Sequence, residues 1–288
     1  MPTAGLNELT SRFTTIGLVQ MAMSENVEAN LRAALSGVDE AARRGAKVVC
    51  LSELFAWRYF PAARNSEQVP QSIPGPISRA LSQSAKKNSV ILVGGTIFEM
   101  AGKARYNTCL VFDEAGRALT KYRKVHIPQD EHYFEQDYFT PGVRYKVAKT
   151  TAGKVGTLIC FDQWYPEAAR VNRLMGADLL FYPTAIGWVK GIEPVEGDWR
   201  QAWESVQVGH AIANSVLVCA VNRVGTEGDT DFWGGSFVCD QFGKILFRAG
   251  EEEGVFTVAC DLGLAKTVEE GWGFMKNRKK KTYAAITK

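Results

Sequence analysis

The sequence predicts an α/β fold in which two mixed sheets pack face to face with helices outside, a four-layer α-β-β-α sandwich. Two observations lead to this prediction. Strand-like apolar runs alternate with helical segments in both halves of the 288-residue chain, and such βαβ units require parallel strands. Other strand-like runs follow one another without a helix between them, so antiparallel pairs must also be present.

The first half of the chain begins with a strand, because residues 13–21 are apolar and rich in β-branched side chains. Ser24 or Asn26 is the expected N-cap of the next helix, and Gly45 lies just beyond its end. Apolar residues recur in this helix at helical spacing: Val27, Leu31, Ala34, Leu35, Val38 and Ala42. The elements predicted after it are a buried strand at 47–53, a long loop at 54–75, a helix at 76–88, and strands at 89–99, 106–113 and 118–127.

The second half of the chain also alternates strands with helices and then has consecutive strands. Its predicted elements are a strand at 154–160, a helix at 166–175, a strand at 177–183, a helix at 198–214, a strand at 216–222, and a final meander of strands at 232–240, 244–249 and 254–261. No linker-like or low-complexity stretch divides the chain. We therefore expect a single domain over residues 1–288, with a flexible segment at 1–12 and a C-terminal tail at 270–288.

The composition favours an ordinary globular protein and argues against a nucleic-acid-binding or membrane-spanning one. An apolar fraction of 46% and a charged fraction of 23% are ordinary for a globular chain. A formal charge of +3 is too small to predict a nucleic-acid partner, and no apolar stretch approaches the ~20 residues that span a bilayer. Four of the six cysteines lie inside apolar runs, as buried reduced thiols do, so we expect a cytoplasmic protein.

Three polar residues lie at or near the ends of predicted strands: Glu53, Lys124 and Cys160. Ligands of α/β sheets gather beyond the carboxyl ends of strands, so these side chains are expected to converge. Together they suit acyl transfer from an amide-like carbon. A carboxylate with a raised pKa takes the thiol proton, and the Lys124 ammonium with the N–H of Phe161 stabilises the oxyanion. Such a reaction needs no metal or cofactor.

The chain resembles the nitrilase superfamily of carbon-nitrogen hydrolases, whose Glu-Lys-Cys triad lies in three local motifs. All three are present, in the same order and with fitting separations: LSELF around Glu53, KYRKVHIP around Lys124 and ICFDQWYPEAAR around Cys160. The resemblance extends from about residue 13 to the C-terminal WGFMKNRKKKTY. It implies hydrolysis of a carbon-nitrogen bond through a cysteine thioester, and a homodimer or higher homo-oligomer.

The resemblance also implies a second active-site glutamate in the loop after the lysine. Glu135, in YFEQDYFTPG, matches that motif better than the competing Glu131. The segments CFDQWYPEAAR and LLFYPTAIG, with GHAIAN and VNRVG, look like the N-carbamoylputrescine amidase branch, which releases ammonia, carbon dioxide and a diamine. The expected substrate-binding residues are Tyr59, Phe161, Trp164, Thr184, Ala185 and Ile186.

The substrate is expected to be a small linear carbamoyl or carboxamide compound. Relatives that act on N-carbamoyl amino acids tend to carry arginine a few residues after the nucleophile, where Gln163 and Trp164 stand here, so a neutral or cationic substrate is favoured. The possible partners of an amine are Asp162, Glu193 and Glu196, and Trp57, Tyr59 and Trp188 could wall an apolar channel. Phe161, QDEHYFEQ and GWVKGIEPVEGDW depart from the pattern of that branch.

Other interpretations remain open at this point. Related activities are those of an aliphatic amidase, an omega-amidase, a beta-ureidopropionase and a nitrilase, or acyl transfer to an acceptor other than water. A Cys-His thiol hydrolase would need His126, His132 or His210 beside Cys160. A non-catalytic binding protein of the same fold is the alternative from a different class.

Overall fold

The computed structural model describes residues 12–192 and 195–287, and it confirms the α/β sandwich. Its strands are β1 Phe13–Gln20, β2 Val48–Leu51, β3 Ile91–Val93, β4 Ile97–Ala101, β5 Ala104–Phe112, β6 Ala118–Arg123, β7 Val147–Thr150, β8 Gly153–Thr157, β9 Leu179–Pro183, β10 Trp188–Val189, β11 Leu217–Val221, β12 Val224–Glu227, β13 Thr230–Trp233, β14 Phe237–Cys239, β15 Ile245–Arg248 and β16 Gly254–Asp261. The helices of that part are α1 Val27–Arg43, α2 Pro76–Asn88, α3 Pro166–Leu174, α4 Trp199–Asn214 and α5 Leu264–Gly271.

Both large sheets are mixed, as predicted. The first runs in the order β16-β1-β2-β3-β5-β4, with β6 on the other side of β5, and the second runs β15-β14-β11-β9-β8-β7. In the first sheet β1, β2 and β3 are parallel, whereas β5 is antiparallel to β3, β4 and β6. A small third sheet, β10-β13-β12, extends beyond the second.

The inner faces of the two sheets share one core. Leu18, Cys50 and Val93 of the first sheet lie in the same apolar cluster as Phe181 and Val218 of the second. The alternate side chains of β1, β2 and β3 pack instead against α1 and α2. Gly17 lets α1 approach β1, because a Cβ there would lie 2.9 Å from the Cβ of Ala41. Helices α3 and α4 contribute Ala169 and Trp203 to the core of the second sheet.

The helix boundaries agree closely with the sequence analysis. Asn26 is the N-cap of α1, with its side chain accepting from the N–H of Ala29, and Gly45 follows the helix at a φ of +89°. Asp198 caps α4 in the same way, through the N–H of Gln201. Because apolar spacing and capping residues are both visible in a sequence, helix ends are the easiest boundaries to predict.

Several strand predictions need correction. The strand predicted at 89–99 is broken into β3 and β4 at Gly94 and Gly95, where Gly95 has a φ of +46°. Three other predicted strands end at least two residues early: β2 ends at Leu51, β6 at Arg123 and β8 at Thr157. The predicted final meander is divided, since β14 and β15 join the second sheet while β16 pairs with β1 in the first. The strand predicted at 232–240 is divided into β13 and β14 by Gly234 and Gly235, and strands β7, β10 and β12 and helix α5 were not predicted.

The prediction of a flexible segment at 1–12 concerns residues outside the described part, except for Arg12. That residue is anchored: its N–H donates to Asp261, and its guanidinium donates to the carbonyl of Ala152. In the predicted tail, the N–H of Met275 donates to Glu269 of α5. Across the described residues, we find no helix that combines the length and the apolar character needed to cross a membrane.

Candidate active site

A fully buried cluster of three ionisable side chains lies at the ends of β2 and β6. Lys124 Nζ lies 2.8 Å from Glu53 Oε1 and 2.7 Å from both carboxylate oxygens of Glu135. None of the three side chains has any exposed surface. Buried charges persist only when they are paired, and here one ammonium serves two carboxylates. The structure therefore brings three of the four predicted catalytic residues into direct contact.

Glu53 lies two residues after β2, at a turn where Leu54 has a φ of +46°. Its Oε1 accepts hydrogen bonds from Lys124 and from the Asn107 side-chain amide, both at 2.8 Å. Its Oε2 is buried without a hydrogen-bond partner. A buried carboxylate oxygen without a partner is costly in a fold, and it is the atom free to accept a proton from a neighbouring group.

The Glu53 turn is held from behind by Arg223, which is fully buried. The guanidinium donates to the carbonyls of Glu53, at 2.6 Å, and of Leu54 and Trp57, both at 3.2 Å. It is also paired with Glu227, at 2.7 Å. Because the planar guanidinium presents several donors in a rigid fork, one side chain fixes the whole turn.

Lys124 is the first residue after β6, so its side chain leaves the ladder at the edge where the Glu53 turn lies. Its N–H donates to the carbonyl of Asn107, and its own carbonyl accepts from the N–H of Gly142. The backbone on both sides of the ammonium is thus hydrogen-bonded. The position of Nζ depends on the side-chain rotamer alone, which the two carboxylates hold.

Glu135 begins a short 3-10 turn, Glu135–Asp137, and its Oε1 accepts a 2.6 Å hydrogen bond from the Tyr59 hydroxyl. The competing residue of the same loop, Glu131, is exposed, with its N–H donating to Asp130. Glu135 is therefore the loop carboxylate that the fold buries beside Lys124.

Cys160 follows β8 and starts a 3-10 turn, Cys160–Trp164. Its φ of +41° lies in the left-handed region that L-residues other than glycine seldom occupy. Residues held in such conformations cluster at functional sites. The thiol approaches the carbonyl of Ala185 at 3.6 Å, and Cys160 as a residue is 6% exposed, whereas Glu53, Lys124 and Glu135 have no exposed surface.

Burial and mutual charge set the protonation states of the cluster. Burial alone would lower the pKa of Lys124, but the carboxylates of Glu135 and Glu53 outweigh it and raise that pKa, so the side chain stays an ammonium ion. Burial raises the pKa of Glu135 to about 7, with Lys124 opposing the shift and Glu53 adding to it. Burial also raises the pKa of the Cys160 thiol well above its usual value, and the Glu53 charge adds to the increase. The resting thiol is neutral and needs a base.

The predicted substrate-binding residues have different surroundings. Tyr59 is buried with its hydroxyl on Glu135, and the Ala185 carbonyl touches the thiol. Thr184 is buried, and its carbonyl accepts from the N–H of Glu53 at 3.4 Å, so it joins the two sheets at the site. Ile186 is 9% exposed, with its N–H and carbonyl bound by the Asn222 side chain.

The remaining predicted pocket residues are half-buried. Phe161 contacts the ring of Tyr165 edge-on at 5.7 Å between ring centroids, and Trp164 packs against the main core. Of the residues expected to wall a channel, Trp57 is buried, whereas Trp188 is half-buried and stacked on Trp199 with ring centroids 5.9 Å apart. Trp188 therefore has a face at the protein surface, and Trp57 does not.

The expectation for amine partners needs correction at Asp162. This residue is fully buried, and both of its carboxylate oxygens already accept hydrogen bonds from the protein, so it has no acceptor left for a substrate. Glu193 lies outside the described residues. Glu196 is exposed, and one of its oxygens accepts from the indole N–H of Trp199 at 2.5 Å. Its other oxygen has no hydrogen bond with any of the described residues.

A Cys-His arrangement has no support in the geometry of the described residues. His126 Nδ1 lies 2.7 Å from Asp162, and its ring stacks on Tyr165 with centroids 3.6 Å apart. His210 Nε2 is bound to the carbonyl of Gln163. Among the described residues, we also find no group of three or more His, Cys, Asp or Glu side chains that could hold a metal ion.

Three residues of the site were not predicted. Asn107 donates to Glu53, and Arg223 holds the Glu53 turn. Tyr133 has its ring 5.7 Å from that of Tyr59, and its hydroxyl bonds Gly187. Asn107 lies in the buried half of β5, next to the apolar run CLVF, and Arg223 lies between the apolar strand β11 and strand β12. A polar residue beside such apolar runs is a signal that could have indicated them.

The arrangement combines what acyl transfer requires. The neutral thiol lies within electrostatic range of Glu53, whose unpaired Oε2 can act as a base, and of the Lys124 ammonium, which can stabilise negative charge on an attacked carbonyl oxygen. The surroundings are dry, so these electrostatic interactions are stronger than in water.

Known proteins are similar to this chain in sequence and in fold. The sequence profile of the family described as "Carbon-nitrogen hydrolase" matches residues 15–270. The N-carbamoylputrescine amidase of Solanum lycopersicum is 36% identical over 96% of this chain and 95% of its own length. The citrullinase of Francisella tularensis is 35% identical over 95% of this chain and 98% of its own. A solved structure, the carbon-nitrogen hydrolase from Helicobacter pylori, has a TM-score of 0.91 and 33% identity, covering 96% of this chain and 99% of that one.

Proposed function

The chain belongs to the carbon-nitrogen hydrolase family and is an amidohydrolase of the nitrilase superfamily, and from this premise we propose that it hydrolyses the terminal ureido group of a small linear amine, N-carbamoylputrescine above all. The observation that carries the proposal is the buried ammonium of Lys124, shared by Glu53 and Glu135 beside the Cys160 thiol. The catalytic roles of these four residues are part of the proposal.

The first chemical step forms a bond between Cys160 Sγ and the ureido carbon. Glu53 Oε2, the oxygen without a hydrogen bond, accepts the thiol proton as sulfur attacks. The negative charge that develops on the substrate oxygen is stabilised by the Lys124 ammonium and by the backbone N–H of Phe161. Base and oxyanion donor thus act on the same carbon.

The second step breaks the bond from that carbon to the terminal nitrogen. Glu53 returns the proton, so the nitrogen departs as ammonia and a thioester remains on Cys160. Water, deprotonated by the same carboxylate, then cleaves the thioester and restores the thiol. The product of a ureido substrate is a carbamic acid, which decomposes to the free amine and carbon dioxide. Glu135 keeps Lys124 in place and accepts a hydrogen bond from the substrate amide.

The choice of substrate is supported by what the two relatives share. N-Carbamoylputrescine and citrulline both carry a ureido group at the end of an alkyl chain, and they differ because citrulline also carries a carboxylate. Near the thiol, the Gln163 side chain accepts from the Trp203 indole N–H, so no arginine fork stands there to bind a carboxylate. The exposed Glu196, beside the stacked Trp188 and Trp199, suits the cationic end of a diamine.

A panel assay tests the proposal. Ammonia release is measured with N-carbamoylputrescine, citrulline, N-carbamoyl-β-alanine, glutamine and a simple aliphatic nitrile, and kcat/KM is expected to be highest for N-carbamoylputrescine. Cys160→Ala should abolish release from every compound while the circular dichroism spectrum stays unchanged. A preference for citrulline or another carboxylate would overturn the choice of substrate. No release from any compound by folded protein would overturn the reaction itself.

We also propose a cellular compartment and an oligomeric state for the enzyme. All six cysteines are free thiols, which suits a reducing compartment such as the cytoplasm. We expect a homodimer or higher homo-oligomer, and light scattering coupled to size-exclusion chromatography measures its mass.

A further inference from the structure

Asp162 connects two segments of the site that are far apart in sequence. Its Oδ2 accepts from the Tyr122 hydroxyl at 2.6 Å and from the N–H of Ile159 at 2.9 Å. Its Oδ1 accepts from His126 twice, from the backbone N–H at 3.0 Å and in a 2.7 Å contact with the ring Nδ1. All of these groups are on the protein, and the carboxylate has no exposed surface.

The sequence positions of these partners show which parts of the site Asp162 connects. Tyr122 and His126 stand two residues before and two residues after Lys124, and Ile159 directly precedes Cys160. One carboxylate therefore binds the side chain of Tyr122 before Lys124, the backbone of His126 after it, and the backbone of Ile159 that leads into the thiol. Within the described residues, no hydrogen bond joins the thiol to the ammonium, so their separation is set through such intermediates.

The conformation of Cys160 makes this support necessary. Its φ of +41° is unfavourable for a cysteine and persists only where the surroundings determine it. Asp162 and Ile159 supply reciprocal bonds across the residue: the side chain of Asp162 accepts from the N–H of Ile159, and the N–H of Asp162 donates to the carbonyl of Ile159 at 3.0 Å. Two hydrogen bonds between Ile159 and Asp162 therefore close the turn that carries Cys160.

Asp162 differs from Glu53 in the feature that a base requires. Each oxygen of Asp162 carries two contacts, whereas Oε2 of Glu53 carries no hydrogen bond. A carboxylate whose oxygens are all occupied by protein donors holds geometry and does not exchange protons with a substrate. Its connection to both Lys124 and Cys160 then assigns its role.

We propose that Asp162 is a positioning residue that sets the Cys160 thiol against the Lys124 ammonium. This inference rests on the proposed function, since it assigns no new chemistry and acts through those two groups. Displacing a reacting atom by about 1 Å can lower a rate ~10²-fold, because proximity and orientation supply much of catalysis. The residue should therefore affect kcat far more than KM.

The test compares Asp162→Asn with a matched variant, Asp113→Asn. Asp113 is also a buried turn carboxylate that accepts from the backbone N–H groups of Ala115 and Arg117, but it lies beyond the opposite end of β6. In Asp162→Asn the amide replaces an acceptor with a donor that faces other donors. We expect its kcat to fall ~10- to 100-fold with KM within about 3-fold of wild type. Asp113→Asn should keep the wild-type kcat even where it lowers the melting temperature.

A second variant and a second readout keep the proposal testable if Asp162→Asn folds poorly. Tyr122→Phe keeps the ring and removes the hydroxyl, which donates to Asp162 and also has a hydrogen bond with the backbone of Val125. Its kcat should fall ~3- to 10-fold. The rate at which iodoacetamide alkylates Cys160, followed by peptide mass spectrometry, should fall in parallel in both variants. This rate needs no substrate, so it separates the inference from the proposed function.

The outcomes are distinct. A reduced kcat and slower alkylation in Asp162→Asn or Tyr122→Phe, with Asp113→Asn unaffected, support the positioning role. Wild-type kcat and alkylation in a folded Asp162→Asn protein, or in Tyr122→Phe where the first variant does not fold, overturn it. An effect on KM alone also overturns it, because that result assigns Asp162 to substrate binding.

Discussion

Two ion clusters lie at the C-terminal end of β6, one around Lys121 and Arg123 and the other around Lys124. They have opposite ratios of cations to carboxylates. On one face, the carboxylate of Glu99 binds Lys121, Arg123 and the Thr108 hydroxyl, so two cations surround one anion. On the other, the single ammonium of Lys124 serves two carboxylates. Both clusters contain a buried glutamate beside a lysine, yet the pKa of that glutamate is shifted in opposite directions.

The pKa difference follows from the balance of charge and donors. Burial opposes ionisation of Glu99, but its hydrogen bonds to Arg123, Lys121 and Thr108 prevail and lower its pKa to about 2. Burial raises the pKa of Glu135 to about 7, because one shared ammonium only partly offsets it. A saturated cluster of this kind stabilises the fold, whereas one with excess carboxylate can accept and release protons near neutral pH.

The largest expected effect breaks the second cluster. Lys124→Ala removes the charge that we propose stabilises the oxyanion and should lower kcat/KM at least ~10³-fold, since one oxyanion donor alone contributes ~10² to 10³. Lys121→Ala, three residues earlier, removes a cation from the Glu99 cluster and should leave kcat/KM unchanged. Steady-state ammonia release measures both, with circular dichroism as the control for folding. Activity of Lys124→Ala within tenfold of wild type would contradict this assignment.

An intermediate effect tests the charge of Glu135. Its raised pKa means that the carboxyl gains a proton as pH falls through about 7 and then exerts less hold on the Lys124 ammonium. Wild-type kcat/KM should therefore decline below pH 7. Glu135→Gln has no proton to gain, so this limb should disappear, with activity at pH 8 reduced ~10-fold. The pH profile of both proteins from pH 5 to 9 measures this, and an unchanged inflection in the variant would disprove the role.

The smallest expected effect concerns stability alone. The folded pKa of Glu99 lies below the ordinary 4.5, so its contribution is present above pH 4.5 and is lost as pH falls toward 2. Glu99→Gln should lower the free energy of unfolding by about 1–2 kcal/mol at pH 7, a value discounted because Lys121 and Arg123 are partly exposed. Urea unfolding at pH 7 and pH 3 should show the difference shrink at pH 3. A kcat of Glu99→Gln that differs from wild type would show that the Glu99 cluster affects catalysis as well as stability, and would contradict this prediction.

The sequence allowed much of this architecture to be predicted. The helices have visible caps and apolar periodicity, and the fold class followed from how strands and helices alternate. Strand pairing was harder to predict, because a strand such as β16 has the same residue pattern whichever sheet it joins. The Gly94–Gly95 pair was visible, but only the positive φ of Gly95 shows that it breaks the strand.

The residues of the site also fall into those that could be predicted from the sequence and those that could not. Glu53, Lys124 and Cys160 could be selected because strand ends are where polar side chains converge, and Glu135 because its motif resembles that of a known superfamily. The positioning role proposed for Asp162 could not be predicted from the sequence, since an acidic residue two positions after Cys160 has the same sequence whether it faces solvent or the interior. Arg223 is 170 residues from Glu53, and its contact with the Glu53 turn is visible only in three dimensions.

The pairing of β16 with β1 also has a consequence for how the chain is made. It joins Phe13 to Asp261, so during translation β1 leaves the ribosome long before its neighbour has been synthesised. The nascent first sheet carries an open edge until then, and such edges recruit strands from other chains. Since distant pairings also close slowly, we expect the exposed edge of β1 to be the part of the nascent first sheet most open to aggregation until β16 arrives.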